Sequence, residues 1–213
     1  MTGTTRAGSA AARRGTIPSS AEGSGVQAGV LRVGVDAAPD PIDISAPTTE
    51  EAAAGEWRAE PTGWTDQLTG TDGPRLWDRV IASEAARVQR YHGPATVVLV
   101  ELVGIDRFSG VWGVEAGSRL FIQLARTLAV EVRASDHIAR IEPTRFGILL
   151  PETDEIAAIN FVERVRTSCE KHIRTPDLVR VAFGWAGPTA SSDLRAAVGI
   201  ATARLATEIA APN

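Results

Sequence analysis

Residues 140–151 read RIEPTRFGILLP, and no other part of the chain says as much about its architecture. Apolar, strand-like residues lie on both sides of a short polar turn: residues 138–141 precede the turn EPTR at 142–145, and residues 146–150 follow it. Two short apolar runs joined by a few turn-forming residues are typical of a β-hairpin. The stretch therefore predicts an antiparallel pair of strands between residues 137 and 150.

Helices and strands alternate on both sides of this hairpin. Apolar side chains recur at helical spacing in the predicted helices, whereas ATVVLVELV is almost continuously apolar, as in a strand buried on both faces. The predicted elements are a helix over 74–91, a strand over 95–103, a helix over 114–132, the hairpin, a helix over 153–173, a strand over 178–186 and a helix over 192–208. We therefore expect an α+β fold with a ferredoxin-like βαββαβ core, an added N-terminal helix and a terminal helix.

The composition separates a long N-terminal stretch from the rest of the chain. Residues 1–62 are rich in Ala, Gly, Ser, Thr and Pro, and such a stretch buries too little apolar area to offset the entropy of ordering it. We therefore expect a disordered or weakly ordered tail over 1–62, one domain over 63–208 and a short C-terminal tail over 209–213. The long tail is either a flexible appendage or a docking segment that folds on a protein partner.

Charge and hydrophobicity argue against several classes of function. The net charge of -4 and the pI near 5.5 give no electrostatic basis for binding nucleic acid or an anionic membrane. No window approaches the roughly 18–20 apolar residues that span a bilayer, and no apolar signal segment opens the chain. The single cysteine, Cys169, precludes an intrachain disulfide. We expect a cytoplasmic protein without nucleic-acid or membrane partners.

Three motifs in this chain occur together in a known family. Residues 66–70 read DQLTG, residues 140–151 form the hairpin quoted above, and residues 179–186 read VRVAFGWA. The chain resembles the GGDEF family, the diguanylate cyclases, whose corresponding motifs are D-x-L-T-G, R-[LI]-G-G-D-E-F-x-[VI]-L-L-P and v-t-v-S-x-G-x-A. The resemblance covers about residues 64–206 and implies the palm-like fold of nucleotide cyclases.

The resemblance also implies where a catalytic site would lie, and the chain departs from the family there. Diguanylate cyclases join two GTP molecules into cyclic di-GMP, using divalent cations held by carboxylates at the end of the first core strand and in the signature turn. Glu101 keeps a carboxylate at the first place, but Arg145 brings a fixed positive charge to the turn. We expect Arg145 either to pair with Glu101 in the metal's place or to point to solvent. The positions at which the catalytic residues differ are Val103, Ser109, Gly110, Glu142, Pro143, Thr144 and Arg145.

Recognition of a nucleotide also looks altered. Ser109 and Gly110 stand where the resemblance places the Asn and Asp that bind guanine, and Asp106 replaces a nearby lysine. Glu142 and Pro143 replace the two glycines that let the backbone approach the nucleotide. We therefore expect an inactive domain with no catalytic residues and no cofactor. Magnesium would be bound, through Glu101, only if nucleotide binding persisted.

One ligand site of the family has counterparts in this chain. Residues 133–136 read RASD, and the resemblance places the inhibitory cyclic di-GMP site, R-x-x-D, at this distance before the hairpin turn. Arg133 and Asp136 would then bind the dinucleotide, and Arg126 would add a further cation. The alternative is structural, because arginine favours helix C-termini and aspartate favours turns. Trp112, expected in a loop, is the best candidate for an exposed contact.

Three functions remain open at the level of sequence. The first is an inactive GGDEF-like regulatory protein that acts by protein interaction in cyclic di-GMP-related signalling, with residues 1–62 as a candidate docking segment. The second is a cyclic di-GMP receptor that uses Arg133 and Asp136. The third is a metal-dependent nucleotide enzyme of altered chemistry that uses Glu101. The oligomeric state and the identity of a partner do not follow from the sequence.

Overall fold

The computed structural model describes residues 57–173, 178–189 and 193–211. The predicted tail falls almost entirely on residues 1–56, which lie outside the described part. In chain order the elements are α1 (Pro74–Tyr91), β1 (Ala95–Val103), α2 (Ile105–Trp112), α3 (Val114–Glu131), β2 (His137–Glu142), β3 (Arg145–Pro151), α4 (Glu155–His172), β4 (Arg180–Ala186) and α5 (Leu194–Ala210).

The four strands form one antiparallel sheet in the order β2-β3-β1-β4. This is the order of a ferredoxin-like βαββαβ core, so the predicted fold class is confirmed. β1 is the inner strand that pairs with both β3 and β4, which explains its continuous apolar sequence. Alternate side chains of β1 enter two different cores: Val98 and Val100 pack on one face of the sheet, and Val97 and Leu99 on the other.

Helices cover both faces of the sheet. The first face packs against α3 and α4, through residues such as Leu124 and Val162, and the second packs against α1 and α5, through residues such as Ile81 and Leu205. Two helices begin where the sequence predicts, because aspartate side chains cap them. Asp154 accepts a hydrogen bond from the backbone N–H of Ala157 at the start of α4, and Asp193 does the same for α5.

Helix α2 was not predicted, and the expected loop around Trp112 is wrong. Gly104 precedes α2 and Gly113 separates it from α3, and both have positive φ angles, of 90° and 91°, which favour glycine. Apolar side chains recur along α2 at helical spacing, and Trp112, its last residue, stacks on Phe108 with ring centroids 4.9 Å apart. Trp112 is nevertheless 41% exposed.

The predicted domain boundaries need two corrections. Trp57 is only 2% exposed and belongs to the larger core, so the packed domain begins at least as early as residue 57 rather than at 63. At the other end, α5 continues to Ala210, two residues beyond the predicted 208. The guanidinium of Arg180 donates hydrogen bonds to the backbone carbonyls of Glu208 and Ile209, at 3.1 and 2.7 Å, and so supports this last turn. Over the described residues, no helix combines the length and the hydrophobicity needed to cross a membrane.

Candidate functional site

The turn between β2 and β3 carries a guanidinium held between two carboxylates. Arg145 lies directly opposite Glu101 in the pairing of β3 with β1. Its Nε and Nη2 atoms both donate to Oε2 of Glu101, at 2.9 and 2.7 Å, and its Nη1 donates to Oε1 of Glu142 at 2.7 Å. The side chains of Arg145 and Glu101 are each only 19% exposed. The pairing of Arg145 with Glu101 is thus present, and the alternative in which Arg145 points to solvent is wrong.

The residues around this ion pair do not fit a bound magnesium ion. The carboxylates of Glu101 and Glu142 are the available hard oxygen ligands, and the positive charge between them is already supplied by Arg145. The side chain of Val103 brings no ligand atom. In the part of the chain that the structure describes, no group of three or more His, Cys, Asp or Glu side chains could hold a metal ion.

A buried arginine joins the hairpin to the segments before α1. Arg140 is 1% exposed, and its Nη1 atom donates to Oδ1 of Asp66 at 3.0 Å. Its Nη2 atom donates to the backbone carbonyls of Trp57, Ala59 and Pro143, the last two at 3.0 Å. Burial lowers the pKa of Arg140, although the carboxylate of Asp66 acts in the opposite direction. Arg140 and Asp66 belong to the hairpin and DQLTG motifs, so this ion pair links the two motifs.

The cleft between α2 and α3 is filled by Trp57. The indole Nε1 donates to the hydroxyl of Ser109 at 3.0 Å, and the backbone N–H of Trp57 donates to the hydroxyl of Ser118 at 3.3 Å. Gly110 lies on the exposed side of α2, with open space around its Cα, because consecutive helical residues face different directions. Ser109 and Gly110, the two residues expected at the base-binding positions, therefore do not line one common surface. The second hydroxyl of the cleft comes instead from Ser118 on α3.

The predicted dinucleotide-binding residues lie in and near one surface turn. The backbone N–H of Arg133 donates to Oδ2 of Asp136 at 2.8 Å, and the N–H of Asp136 donates to the carbonyl of Arg133 at 3.0 Å. Arg126 is exposed on α3, about one and a half turns before that helix ends at Glu131. The carboxylate of Asp136 thus stabilises the turn, as expected from the preference of aspartate for turns. The side chains of Arg126, Arg133 and Asp136 all lie at or near the surface.

Several residues of this site were missed from the sequence. Trp57 is an isolated aromatic residue in a stretch otherwise poor in aromatic side chains, which was a usable signal of burial. Arg140 is an arginine inside an apolar strand, and a charged residue in that position usually has a partner. For Ser118 no local signal distinguishes it from any other serine on a helix.

Comparison with known proteins assigns the chain to a family. The sequence profile described as "Diguanylate cyclase, GGDEF domain" matches residues 63–204, well over half of the chain. The chain therefore belongs to the GGDEF family.

Among curated proteins, it is 24% identical over 140 residues to a probable diguanylate cyclase, DgcC of Escherichia coli K12, covering 66% of this chain and 38% of DgcC. It is 28% identical over 113 residues to the diguanylate cyclase DgcP of Pseudomonas aeruginosa, covering 52% of this chain and 17% of DgcP. The chain thus spans well under half the length of these relatives.

Solved structures of the family have the same fold. The diguanylate cyclase SiaD of Pseudomonas aeruginosa, in complex with its activator SiaC, matches with a TM-score of 0.62 and 25% identity, over 68% of this chain and 57% of SiaD. The GGDEF domain of DgcB from Caulobacter crescentus, in complex with c-di-GMP, matches with a TM-score of 0.64 and 15% identity, over 70% of this chain and 91% of that domain.

Proposed function

We propose that this chain is a GGDEF protein without diguanylate cyclase activity that acts through protein interaction in cyclic di-GMP-related signalling. The observation that carries the proposal is the ion pair between Arg145 and Glu101. A guanidinium bound to both nearby carboxylates supplies the positive charge that a catalytic metal ion would otherwise supply, and it cannot lose its proton in a protein. It also offers no coordination site for a phosphate-bound cation.

Two further features support the loss of catalysis. In the hairpin turn, Glu142 and Pro143 replace glycines, so a side chain and a ring lie where the family's backbone approaches its nucleotide. In the cleft between α2 and α3, Ser109 has taken up a hydrogen bond from Trp57 of the same chain. A nucleotide would have to break that contact before using the same hydroxyl.

The protein-interaction part of the proposal concerns the first 62 residues. Within these 62 residues Trp57 is already packed in the core, so residues 1–56 are the part that we propose for docking. SiaD, a structural neighbour, was solved with its activator protein, which shows that at least one GGDEF structure takes a protein partner. We propose a protein partner of this kind for the present chain, with residues 1–56 as the segment to test. A pull-down from the source cell with the full chain and with a variant lacking residues 1–56 would measure that contribution.

A direct test of the inactive site uses two substitutions at one position. Arg145→Glu brings a third carboxylate next to Glu101 and Glu142, and like charges this close repel one another. We expect this variant to unfold at a lower temperature than the wild type and to regain stability with millimolar Mg²⁺, because a cation that binds only the native state raises its stability. Arg145→Gln, the neutral control, should show no such recovery. A wild-type response to Mg²⁺ as large as that of Arg145→Glu would contradict the proposal.

The corresponding activity measurement is the turnover of GTP with Mg²⁺ by the wild-type chain, with an active diguanylate cyclase run in parallel. We expect no cyclic di-GMP from the wild type. Formation of cyclic di-GMP that disappears in Glu101→Ala would overturn the central claim and favour a metal-dependent enzyme. We rank that function last, because Glu101 is already paired.

A cyclic di-GMP receptor is the second candidate. The observation in its favour is that Arg133 and Asp136 share one surface turn and Arg126 is exposed on the adjoining helix. Calorimetric titration of cyclic di-GMP into the wild type, Arg133→Ala and the control Arg195→Ala separates the two candidates. Saturable binding that Arg133→Ala abolishes and Arg195→Ala retains would make the protein a receptor; the first proposal expects no binding in any of the three.

A further inference from the structure

Strand β4 forms an outer edge of the sheet, and at every second residue its main chain points away from β1. Leu102 of β1 donates its backbone N–H to the carbonyl of Thr144, on the β3 side, so the odd-numbered residues of β1 face β4. They pair with the even-numbered residues of β4, from Arg180 to Ala186. The outward N–H and C=O groups therefore belong to residues 181, 183 and 185. Among the described residues, no further strand pairs with this edge.

The sequence of β4 lacks the usual protections of an edge strand. Residues 181–186 read VAFGWA, which contains aromatic and β-branched residues but neither a charge nor a proline. An uncharged edge of this composition is suited to pairing with another strand. Phe183, at the centre of β4, is nevertheless only 1% exposed, main chain included. Other parts of the chain therefore cover the edge.

An ion pair between α4 and α5 lies at this edge. The two helices pack on opposite faces of the sheet, so a contact between their side chains has to pass around β4. Nη2 of Arg166 on α4 donates to Oε1 of Glu208 on α5 at 3.2 Å. The guanidinium of Arg166 also lies over the ring of Phe183, 4.8 Å from its centroid. The ion pair is therefore held beside the middle of the strand.

A second ion pair between the same helices binds the edge directly. Nη1 of Arg204 on α5 donates to Oε2 of Glu155 on α4 at 2.9 Å, and it also donates to the carbonyl of Trp185, one of the outward groups of β4. The four charged side chains are between 27% and 49% exposed, so each ion pair can be removed without opening the core. The pairs Arg166–Glu208 and Arg204–Glu155 are the edge clamps.

We propose that the outer edge of β4 is a surface for pairing with β4 of a second copy of this chain, and that the edge clamps keep it closed. Two identical edges paired antiparallel about Phe183 place Val181 opposite Trp185 of the other copy, a favourable aromatic and β-branched pair. Arg180 then lies opposite Ala186, so no like charges meet. This self-complementary pattern favours a second copy as the partner. The inference does not rest on the proposed function, because the β2–β3 turn takes no part in it.

The first experiment removes the carboxylate of each clamp. By sedimentation velocity at several protein concentrations, we expect the double variant Glu155→Ala/Glu208→Ala to dimerise with a Kd at least about tenfold lower than that of wild type. The control Asp78→Ala/Glu115→Ala removes two exposed carboxylates from α1 and α3 and should associate like wild type. Equal association of the clamp variant and wild type, with unchanged circular dichroism, overturns the inference. If the alanine variant does not fold, Glu155→Gln/Glu208→Gln, which keeps the side-chain volume, carries the same expectation.

Hydrogen exchange of the clamp variant identifies the surface that associates. On pairing, the amides of Val181, Phe183 and Trp185 gain hydrogen bonds, so their exchange should slow at least about tenfold between dilute and concentrated protein. The amides of Ala182 and Gly184 lie in the register with β1 and serve as an internal control that should not change. Association without selective protection of the odd-numbered amides would show that another surface pairs, and would refute the proposal.

A substitution within the edge tests the same pairing from the other side. Val181→Pro removes one outward N–H and leaves the register with β1 in place, since proline is tolerated on an edge strand where its nitrogen faces outward. Added to the clamp variant, it should abolish the gain in association, whereas Val181→Ala should retain it. A gain that Val181→Pro leaves intact would count against pairing through β4.

Discussion

Replacing Arg140 by methionine should produce one of the largest losses of stability available in this domain. The change removes the ion pair with Asp66 and three hydrogen bonds to backbone carbonyls, and it leaves a 4%-exposed carboxylate without its cation. Among the described residues, Thr69 still donates to the carboxylate of Asp66 from its backbone N–H and its hydroxyl, at 2.9 and 2.6 Å. Breaking one side of a buried ion pair costs about 3–5 kcal/mol. With a urea slope of about 2 kcal/mol per molar, the unfolding midpoint should fall by about 1.5–2.5 M.

A double-mutant cycle with Asp66→Asn separates the ion pair from the other contacts. The neutral amide can still accept from Thr69 but no longer needs a cation, so Arg140→Met should cost less in the Asp66→Asn background than in the wild type. The control is Arg195→Met, an exposed position where a change of at most about 0.5 kcal/mol is expected. A loss of stability below about 1 kcal/mol for Arg140→Met would refute the account of Arg140 as the link between the two motifs. Strictly additive losses for Arg140→Met and Asp66→Asn would refute it as well.

Three further predictions concern separate parts of the domain. Burial alone would raise the pKa of Glu155, but a backbone N–H and the guanidinium of Arg204 hold it below its usual value of 4.5. The ionised carboxylate of Glu155 therefore stabilises the fold fully above that pH, and this stabilisation is lost as the pH falls below it. When the free energy of unfolding is measured at decreasing pH, the difference between wild type and Glu155→Gln should shrink. A difference that stays constant with pH would contradict this prediction. Burial raises the pKa of the Cys169 thiol to about 12. A thiol reagent at pH 8 should therefore label Cys169 only as fast as the domain opens. Rapid labelling of the native protein would be inconsistent with the structure. Gly147→Ala puts a Cβ atom 2.8 Å from the ring of Trp77 and should cost about 1–3 kcal/mol in urea unfolding, whereas an unchanged midpoint would show that the ring moves freely.

The parts of the fold that local patterns specify could be predicted from the sequence. The hairpin followed from two apolar runs around a polar turn, and β1 followed from a continuous apolar run. The starts of α4 and α5, predicted at residues 153 and 192, lie within two residues of the observed starts, where Asp154 and Asp193 cap the helices. In each case the signal and the structure that it determines lie within a few residues of each other. Helix α2 was missed although its apolar spacing was visible, because a serine and a glycine in its second half favour a loop.

The site was harder to predict because its contacts are distant in sequence. The hydrogen bonds that hold Trp57 join residues 52 and 61 positions apart, and Arg140 reaches back 83 positions to the same residue. No pattern within one element encodes such a pairing. The exception is Arg145 with Glu101, 44 positions apart, where the family resemblance placed both residues at one site and their opposite charges made the pairing one of two expectations.

Under the proposed function, the two arginines of the hairpin explain how the family frame is kept without the family's catalytic carboxylates. Arg140 points into the domain and binds Asp66 and the backbone carbonyls of Pro143, Trp57 and Ala59, so its role is the same whether or not the turn holds a metal ion. Arg145 points to the opposite side and binds Glu101, which needs a neighbouring positive charge in either case. With this turn sequence Glu101 and Glu142 are both paired with Arg145, and Arg140 keeps the contacts that order the hairpin. The proposed function therefore requires little loss of stability when catalysis is lost, and it assigns the protein's role to its surface and its N-terminal segment.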